Sequence, residues 1–393
     1  MKKKFACFAM AMVMVLGLAA CGGKKEEAPA APAESSNDAS VSVFKVGTIG
    51  PLTGDAAIYG QAVANGAKIA VDQINAAGGA IQFELQSQDD EADGEKSVNA
   101  YNTLMDWGMQ VMVGPTTTGA SIAVSAQANA DRTFMLTPSA SSVDVIDGKD
   151  NVFQVCFTDP NQGIASADYM AENMSGAKIA VIYRNDDAYS QGIRDTFVSE
   201  AAAKGLEVVY EGTFTADTAT DFSVQLTAAQ SAGADTVFLP IYYQPASVIL
   251  SQANAMGYEP TFFGVDGMDG ILTMEGFDTS LAEGVMLLTP FSADAEDERT
   301  QTFVKTYQEQ FGNTPNQFAA DAYDAVYTYA AALEAAGCTS DMSAADICEA
   351  LVGVMTTISV DGLTGQGMTW DASGAVSKAP MAVVIENGTY VLP

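Results

Sequence analysis

From Val43 to the C-terminus the chain alternates short β-rich runs with stretches whose apolar residues recur every three or four positions. This alternation constrains the fold more than any other feature. The β-rich runs are 44–50, 81–86, 110–113, 133–137 and 152–157, then a second series at 178–183, 206–210, 236–239, 261–264 and 284–289. Between them lie helical patterns. In 60–77, Val63, Gly66, Ala67, Ala70, Val71 and Ile74 share one face, and Gly78-Gly79 provides a stop. Strands separated by helices predict βαβ units and parallel sheets covered by helices. Ten such strands are too many for one sheet, so the pattern predicts an α/β protein of two doubly wound parallel-sheet lobes. Further helices at 297–311, 316–336 and 343–355, and short strands near 357–360, 368–370, 381–386 and 389–392, need a place. Their return across the lobe boundary makes a multi-crossing hinge with a cleft.

The N-terminus predicts export. Lys2, Lys3 and Lys4 precede an apolar run from Phe5 to Ala20, too short for a bilayer span of roughly 20 residues. Residues 1–20 therefore read as a signal peptide. The stretch Leu18-Ala19-Ala20-Cys21 resembles a bacterial lipobox, which implies lipidation of Cys21; ordinary secretory cleavage after Ala20 is the alternative. Residues 21–42, rich in Gly, Ala, Pro and Ser, read as a flexible tether to a membrane. Lys and Arg number 17 against 49 Asp and Glu. Such an acidic chain is a poor partner for nucleic acid, whose phosphates require Lys and Arg, and is repelled by anionic lipid, so its anchor must be covalent.

No histidine occurs anywhere. That removes Ser-His-Asp and Cys-His catalysis and histidine-ligated zinc. Two Ser-x-x-Lys matches, at 42–45 and 175–178, place the lysine in an apolar strand, which disfavours a serine–lysine hydrolase. The acidic run at 89–94 opens like a calcium loop, but the position of the bidentate glutamate is Ala100, so a solvated strand-to-helix turn is the better reading. Cys156 reads as a small buried hydrophobe; Cys338 and Cys348 flank a helix–helix loop and could pair, although spacing alone does not establish it. No enzyme, metal or cofactor is expected, with carboxylate-only hydrolysis left open.

Open parallel sheets bind ligands beyond the carboxyl ends of their strands. Those ends carry GPLTGDAAIYG, GPTTTGAS, TPSASS, YRNDDAYSQG, PIYYQPAS and GVDGMDG, with Arg184 their only cation. Hydroxyls, aromatics and a few carboxylates suit a small polar solute. Taken singly, each residue also has a structural reading: Thr118 and Ser141 as helix caps, Asp266 as a turn residue, the aromatics as core.

The opening VGTIGPLTGDAAIYGQAVANGAKIAVDQINAAGG resembles the leucine/isoleucine/valine-binding protein family, solute receptors of ABC amino-acid importers. The likeness continues through VGPTTTGAS, LTPSASS, AYSQG, GVDG and LTGQGMTWD. It implies the type I periplasmic-binding-protein fold, with hinge crossings near 156–160, 287–291 and 359–364. One lobe would comprise 43–157 with 290–360, the other 158–289 with 361–393. It further implies that Thr118, Thr117 and Ser141 hold a ligand carboxylate, and that Asp266 and the Ser139 carbonyl hold its ammonium. Tyr59, Tyr189, Tyr242 and Phe318 would line the cleft. Asp266 departs from the longer Glu common in branched-chain receptors. The implied function is delivery of an amino acid, of the branched-chain class, to an ABC permease from the outer face of the membrane. The alternatives are the same fold binding an amide, urea or aromatic carboxylate, and a sensory ligand-binding module.

Overall fold

The computed structural model describes residues 41–392. The expected signal peptide, Cys21 and nearly all of the tether lie outside the described residues. A five-stranded sheet and a seven-stranded sheet divide the strands, each covered by helices.

The first sheet is built from β1 (Ser42–Gly50), α1 (Ala57–Ala77), β2 (Ile81–Asp89), α2 (Gly94–Trp107), β3 (Val111–Val113), α3 (Thr118–Asp131), β4 (Phe134–Thr137) and β5 (Val152–Gln154). Its strands pair in parallel, in the order β2-β1-β3-β4-β5. The central strands β3 and β4 are wholly buried, which is why they read as unbroken apolar runs rather than alternating ones. The acidic run at 89–94 is the expected strand-to-helix turn: Asp89 ends β2, and Asp93 caps α2 by accepting from Lys96 N. Asp90 in its middle is not solvated; it is buried and accepts from Ser97 Oγ at 2.9 Å.

The chain then crosses into the second sheet through α4 (Asp159–Asn173), β6 (Lys178–Arg184), α5 (Ala188–Lys204), β7 (Glu207–Phe214), α6 (Ser223–Ser231), β8 (Thr236–Leu239), α7 (Tyr243–Met256), β9 (Thr261–Gly264) and β10 (Met286–Thr289). It returns as α8 (Glu298–Phe311), α9 (Gln317–Ala336) and α10 (Ala344–Val354), and ends with the hairpin β11 (Met381–Glu386) and β12 (Thr389–Val391). The second sheet runs β12-β11-β10-β9-β8-β6-β7, parallel except for this hairpin. Asn387 and Gly388 both take positive φ at its turn, as a two-residue hairpin loop requires.

Helices α1 and α9 approach closely: a Cβ added at Gly66 would lie 1.9 Å from the carbonyl oxygen of Ala319. No side chain fits there, so the two helices form one rigid wall over the first sheet.

Two expectations change, and one open question closes. The runs at 357–360 and 368–370 form only isolated antiparallel bridges, Val360 with Met368 and Trp370 with Val376. The segment 361–393 is divided between sheets. Trp370 Nε1 donates to Gln154 O at 2.8 Å and Gln154 N donates to Gly374 O, which ties that stretch to β5, while β11 and β12 join the second sheet. Cys338 and Cys348 do not pair; with Cys156 they are buried free thiols. The dividing stretch is held to α9 by a buried ion pair, Lys378 Nζ to Asp321 Oδ1 at 2.6 Å, with Lys378 also donating to Thr364 Oγ1 at 2.7 Å. Among the described residues no helix is long and apolar enough to cross a membrane.

Candidate functional site

The strands of both sheets direct their carboxyl ends toward each other. From the first sheet comes the loop between β3 and α3. Two of its hydroxyls are engaged by backbone, Thr116 Oγ1 donating to Ile49 O and Ser121 Oγ to Pro115 O, and Ser139 Oγ from the loop after β4 donates to Thr116 O at 2.6 Å. Thr117 and Thr118 differ. Both are buried, and neither hydroxyl has a hydrogen-bond partner among the described residues. Thr117 is the N-cap of α3 in extended conformation, yet its side chain makes no cap bond. The capping reading of this threonine run therefore fails. Two unengaged hydroxyls and the free N–H groups of a helix N-terminus together form a donor set for an anion.

From the second sheet comes the loop after β9. Asp266 is 3% exposed, and its Oδ1 accepts from the Tyr189 hydroxyl at 2.5 Å. Burial pushes its carboxyl up to about 7, against the lowering effect of the Tyr189 hydrogen bond. The Tyr189 phenol is itself driven up by burial and by the neighbouring Asp266, so it stays a neutral donor. Gly267 follows because a Cβ there would sit 2.5 Å from the Tyr189 hydroxyl oxygen.

Aromatic rings fill the space between these two loops. Tyr59, on the first turn of α1, lies 4.4 Å from Phe318 and 5.3 Å from Tyr242, centroid to centroid; Tyr189 and Tyr242 are 4.9 Å apart. Tyr59 also latches across the cleft, donating to Gly267 O and accepting from Tyr243 N at 3.1 Å. Tyr243 Oη donates to Asp55 O at 2.7 Å, and Gln317 N donates to Asp269 Oδ2 at 2.9 Å.

One cavity is lined by Thr116, Thr117, Thr118, Ser139, Tyr59, Tyr189, Tyr242, Phe318, Asp266 and Gly267. Eight of the nine expected cleft residues thus share a single wall. Ser141 does not: it is fully buried behind that wall, where its carbonyl accepts from Asp159 N and its hydroxyl from Gln162 Nε2 at 3.5 Å. The cavity measures about 10 Å³, roughly what one water requires. Anything larger must part the rings.

Residues 43–389 match the family model described as periplasmic binding protein. The chain belongs to that family.

Its relatives include Leu/Ile/Val-binding protein homolog 3 of Brucella melitensis, 32% identical over 76% of this chain and 81% of the relative. Among solved structures, the branched-chain amino-acid substrate-binding protein LivJ of Streptococcus pneumoniae in complex with isoleucine is 29% identical, with a TM-score of 0.79 over 88% of this chain and 97% of that one. The leucine-binding protein LivK of Thermotoga maritima is 26% identical, with a TM-score of 0.79 over 89% and 97%. These neighbours share the two-lobed architecture read from the strand pattern.

Gln162 was not legible as a site residue. It lies on the first turn of α4, where its Oε1 accepts from Asp266 N at 3.1 Å and its Nε2 reaches Ser141. One amide thus joins the loop after β4 to the loop after β9. No local signal marks it, since a glutamine on a helix turn is ordinary; only the juxtaposition of three separate segments gives it a role.

Proposed function

We propose that this protein is the extracytoplasmic, lipid-anchored solute receptor of an ABC importer, closing on an amino acid of the branched-chain class and handing it to the permease. The observation that carries this reading is the pairing of chemistry within one cavity: unengaged Thr117 and Thr118 hydroxyls at a helix N-terminus, and the buried Asp266 carboxylate. An amino acid is a zwitterion, so its binding requires two opposed polar ends. Neutral donors and a helix dipole suit the carboxylate, and the dipole contributes about 0.3–2 kcal/mol. A carboxylate suits the ammonium, and a charge-assisted bond of this kind is worth about 1.5–3 kcal/mol net. The relatives' names support the branched-chain class. The action is stoichiometric binding, not turnover.

The lobes of the proposal follow the two sheets, residues 43–157 with 290–360 against 158–289 with the hairpin at 381–391, and the stretch 361–378 rides on the first. A ligand held by both lobes favours the closed state by its differential affinity. Lipidation at Cys21 followed by the tether would keep the receptor beside its permease. Mass spectrometry of solute released from the purified protein on denaturation tests the ligand class, and an α-amino acid is expected. Release of a solute lacking an amine, or turnover of an added one, overturns the reading. Small-angle scattering tests closure: compaction is expected with any ligand that raises the melting temperature.

A further inference from the structure

A second, larger chamber adjoins the ligand cavity. Its volume is about 520 Å³, within the range of about 300–1,000 Å³ usual for small-molecule sites. Loops after β1 and β2 and the start of α3 form one side; loops after β6, β7 and β8 form the other. Thr117 and Tyr242 line both spaces, so they are the threshold between them. Thr117 is 5% exposed, and its hydroxyl, without a partner among the described residues, sits at that threshold.

The chamber is the space that shares lining residues with the inner cavity. Tyr59, Tyr189 and Phe318 close its remaining walls, and the two tyrosines are fixed by hydrogen bonds to Gly267 and Asp266. A side chain longer than the inner cavity must pass Tyr242 into the chamber. The chamber is more spacious than an isobutyl group needs, and its chemistry is graded. Phe214, Ile241 and Pro245 offer an apolar surface for a stem. Its charged residues are four acids and Arg184. Arg184 is engaged by Asp186 at 2.7 Å, and Glu91 by Lys96 at 2.6 Å. Asp55 makes no ion pair among the described residues. Asp187 makes no direct one either, although Arg184, itself held by Asp186, lies near enough to favour its charged form against burial. Asp187 is the N-cap of α5, yet its side chain makes no cap bond. An apolar stem leading to an excess of carboxylates over cations complements a long aliphatic chain ending in a cation, and the Tyr242 face adds a cation–π contact on the way.

The geometry points to a wider specificity than the branched-chain class: the cleft also takes α-amino acids with an extended cationic side chain, of lysine, ornithine or arginine chemistry, and Asp187 reads the distal charge. This rests on the amino-acid reading of the inner cavity. The test is calorimetric titration of the intact protein and of Asp187→Asn with isoleucine, lysine and norleucine, the last having lysine's chain without its terminal amine. Lysine is expected to bind at least tenfold more tightly than norleucine. Asp187→Asn should erase that ratio and leave isoleucine and norleucine unchanged. Lysine binding no tighter than norleucine, or equal losses for both in the variant, overturns the inference. Binding of isoleucine without lysine does the same while the amino-acid reading stands; if none of the three binds, both fall. Should Asp187→Asn not fold, the lysine-to-norleucine ratio of the unaltered protein and the effect of Asp55→Asn on it decide.

Discussion

Asp266→Asn should make the ligand-free protein more stable while it weakens the receptor. The carboxyl is fully buried and pushed up from 3.8 to about 7, mainly by desolvation. A carboxyl raised in the folded state opposes folding wherever it must ionise. The effect is absent below its unfolded pKa, grows as pH rises, and is complete above about 7. With each unit worth about 1.36 kcal/mol, the cost at pH 8 reaches roughly 4 kcal/mol. Asparagine keeps the shape and can still accept from Tyr189. A body of about 350 residues has an unfolding entropy of roughly 0.7 kcal/mol/K, so the variant should melt about 6 °C higher at pH 8. At pH 4, where the native aspartate is already neutral, the two proteins should melt together. Scanning calorimetry at both pH values reads the difference. In the same variant an amino acid should bind about tenfold or more weakly, through loss of a charge-assisted bond of about 1.5–3 kcal/mol, and the matching 2-keto acid should be unaffected. A melting shift equal at pH 4 and pH 8 would show that the charge of Asp266 is not what the fold opposes, and equal losses for both ligands would place the ammonium elsewhere.

Thr118→Val removes a buried, unpartnered hydroxyl, so ligand-free stability should hold or rise while amino and keto acids both bind more weakly in calorimetric titration; a lower melting temperature would mean that the hydroxyl is engaged after all. Lys378→Met strands Asp321 in the interior, where burial already pushes its carboxyl up to about 6. The expected loss in urea unfolding is about 3–5 kcal/mol at pH 8, and it shrinks toward pH 5 as Asp321 takes up a proton instead. Cys21→Ala should abolish lipid labelling and membrane retention, because stable anchoring needs two acyl chains; unchanged detergent partitioning would refute lipidation.

The sheets were legible because parallel strands buried on both faces leave apolar runs too plain to miss, as in Val111–Val113 and Phe134–Thr137. Runs such as 357–360 and 368–370 carry the same residue types but find only isolated bridges, a matter of neighbours rather than composition. The same limit applied at the site. Order and spacing pointed to Thr117, Thr118, Asp266 and the four aromatics, which share one wall. Ser141 carries the same hydroxyl in a similar loop, but its carbonyl is held by Asp159 N behind that wall, and nothing in LTPSASS reveals it. That the threonines' hydroxyls stay free instead of capping α3 is likewise a matter of angles that no sequence pattern contains.

The hydrogen bonds from Tyr59, Tyr243 and Gln317 across the cleft have a kinetic consequence. Each runs between protein atoms alone, so the latch holds the two sheets together on its own account. Because α1 and α9 meet backbone to backbone at Gly66 and Ala319, Tyr59 and Phe318 cannot retreat separately. Entry therefore waits for the whole latch to release. In stopped-flow mixing, the observed association rate should climb with solute concentration and then level off at the unlatching rate. Above that concentration, faster uptake would have to come from more receptor molecules, since more solute no longer speeds loading.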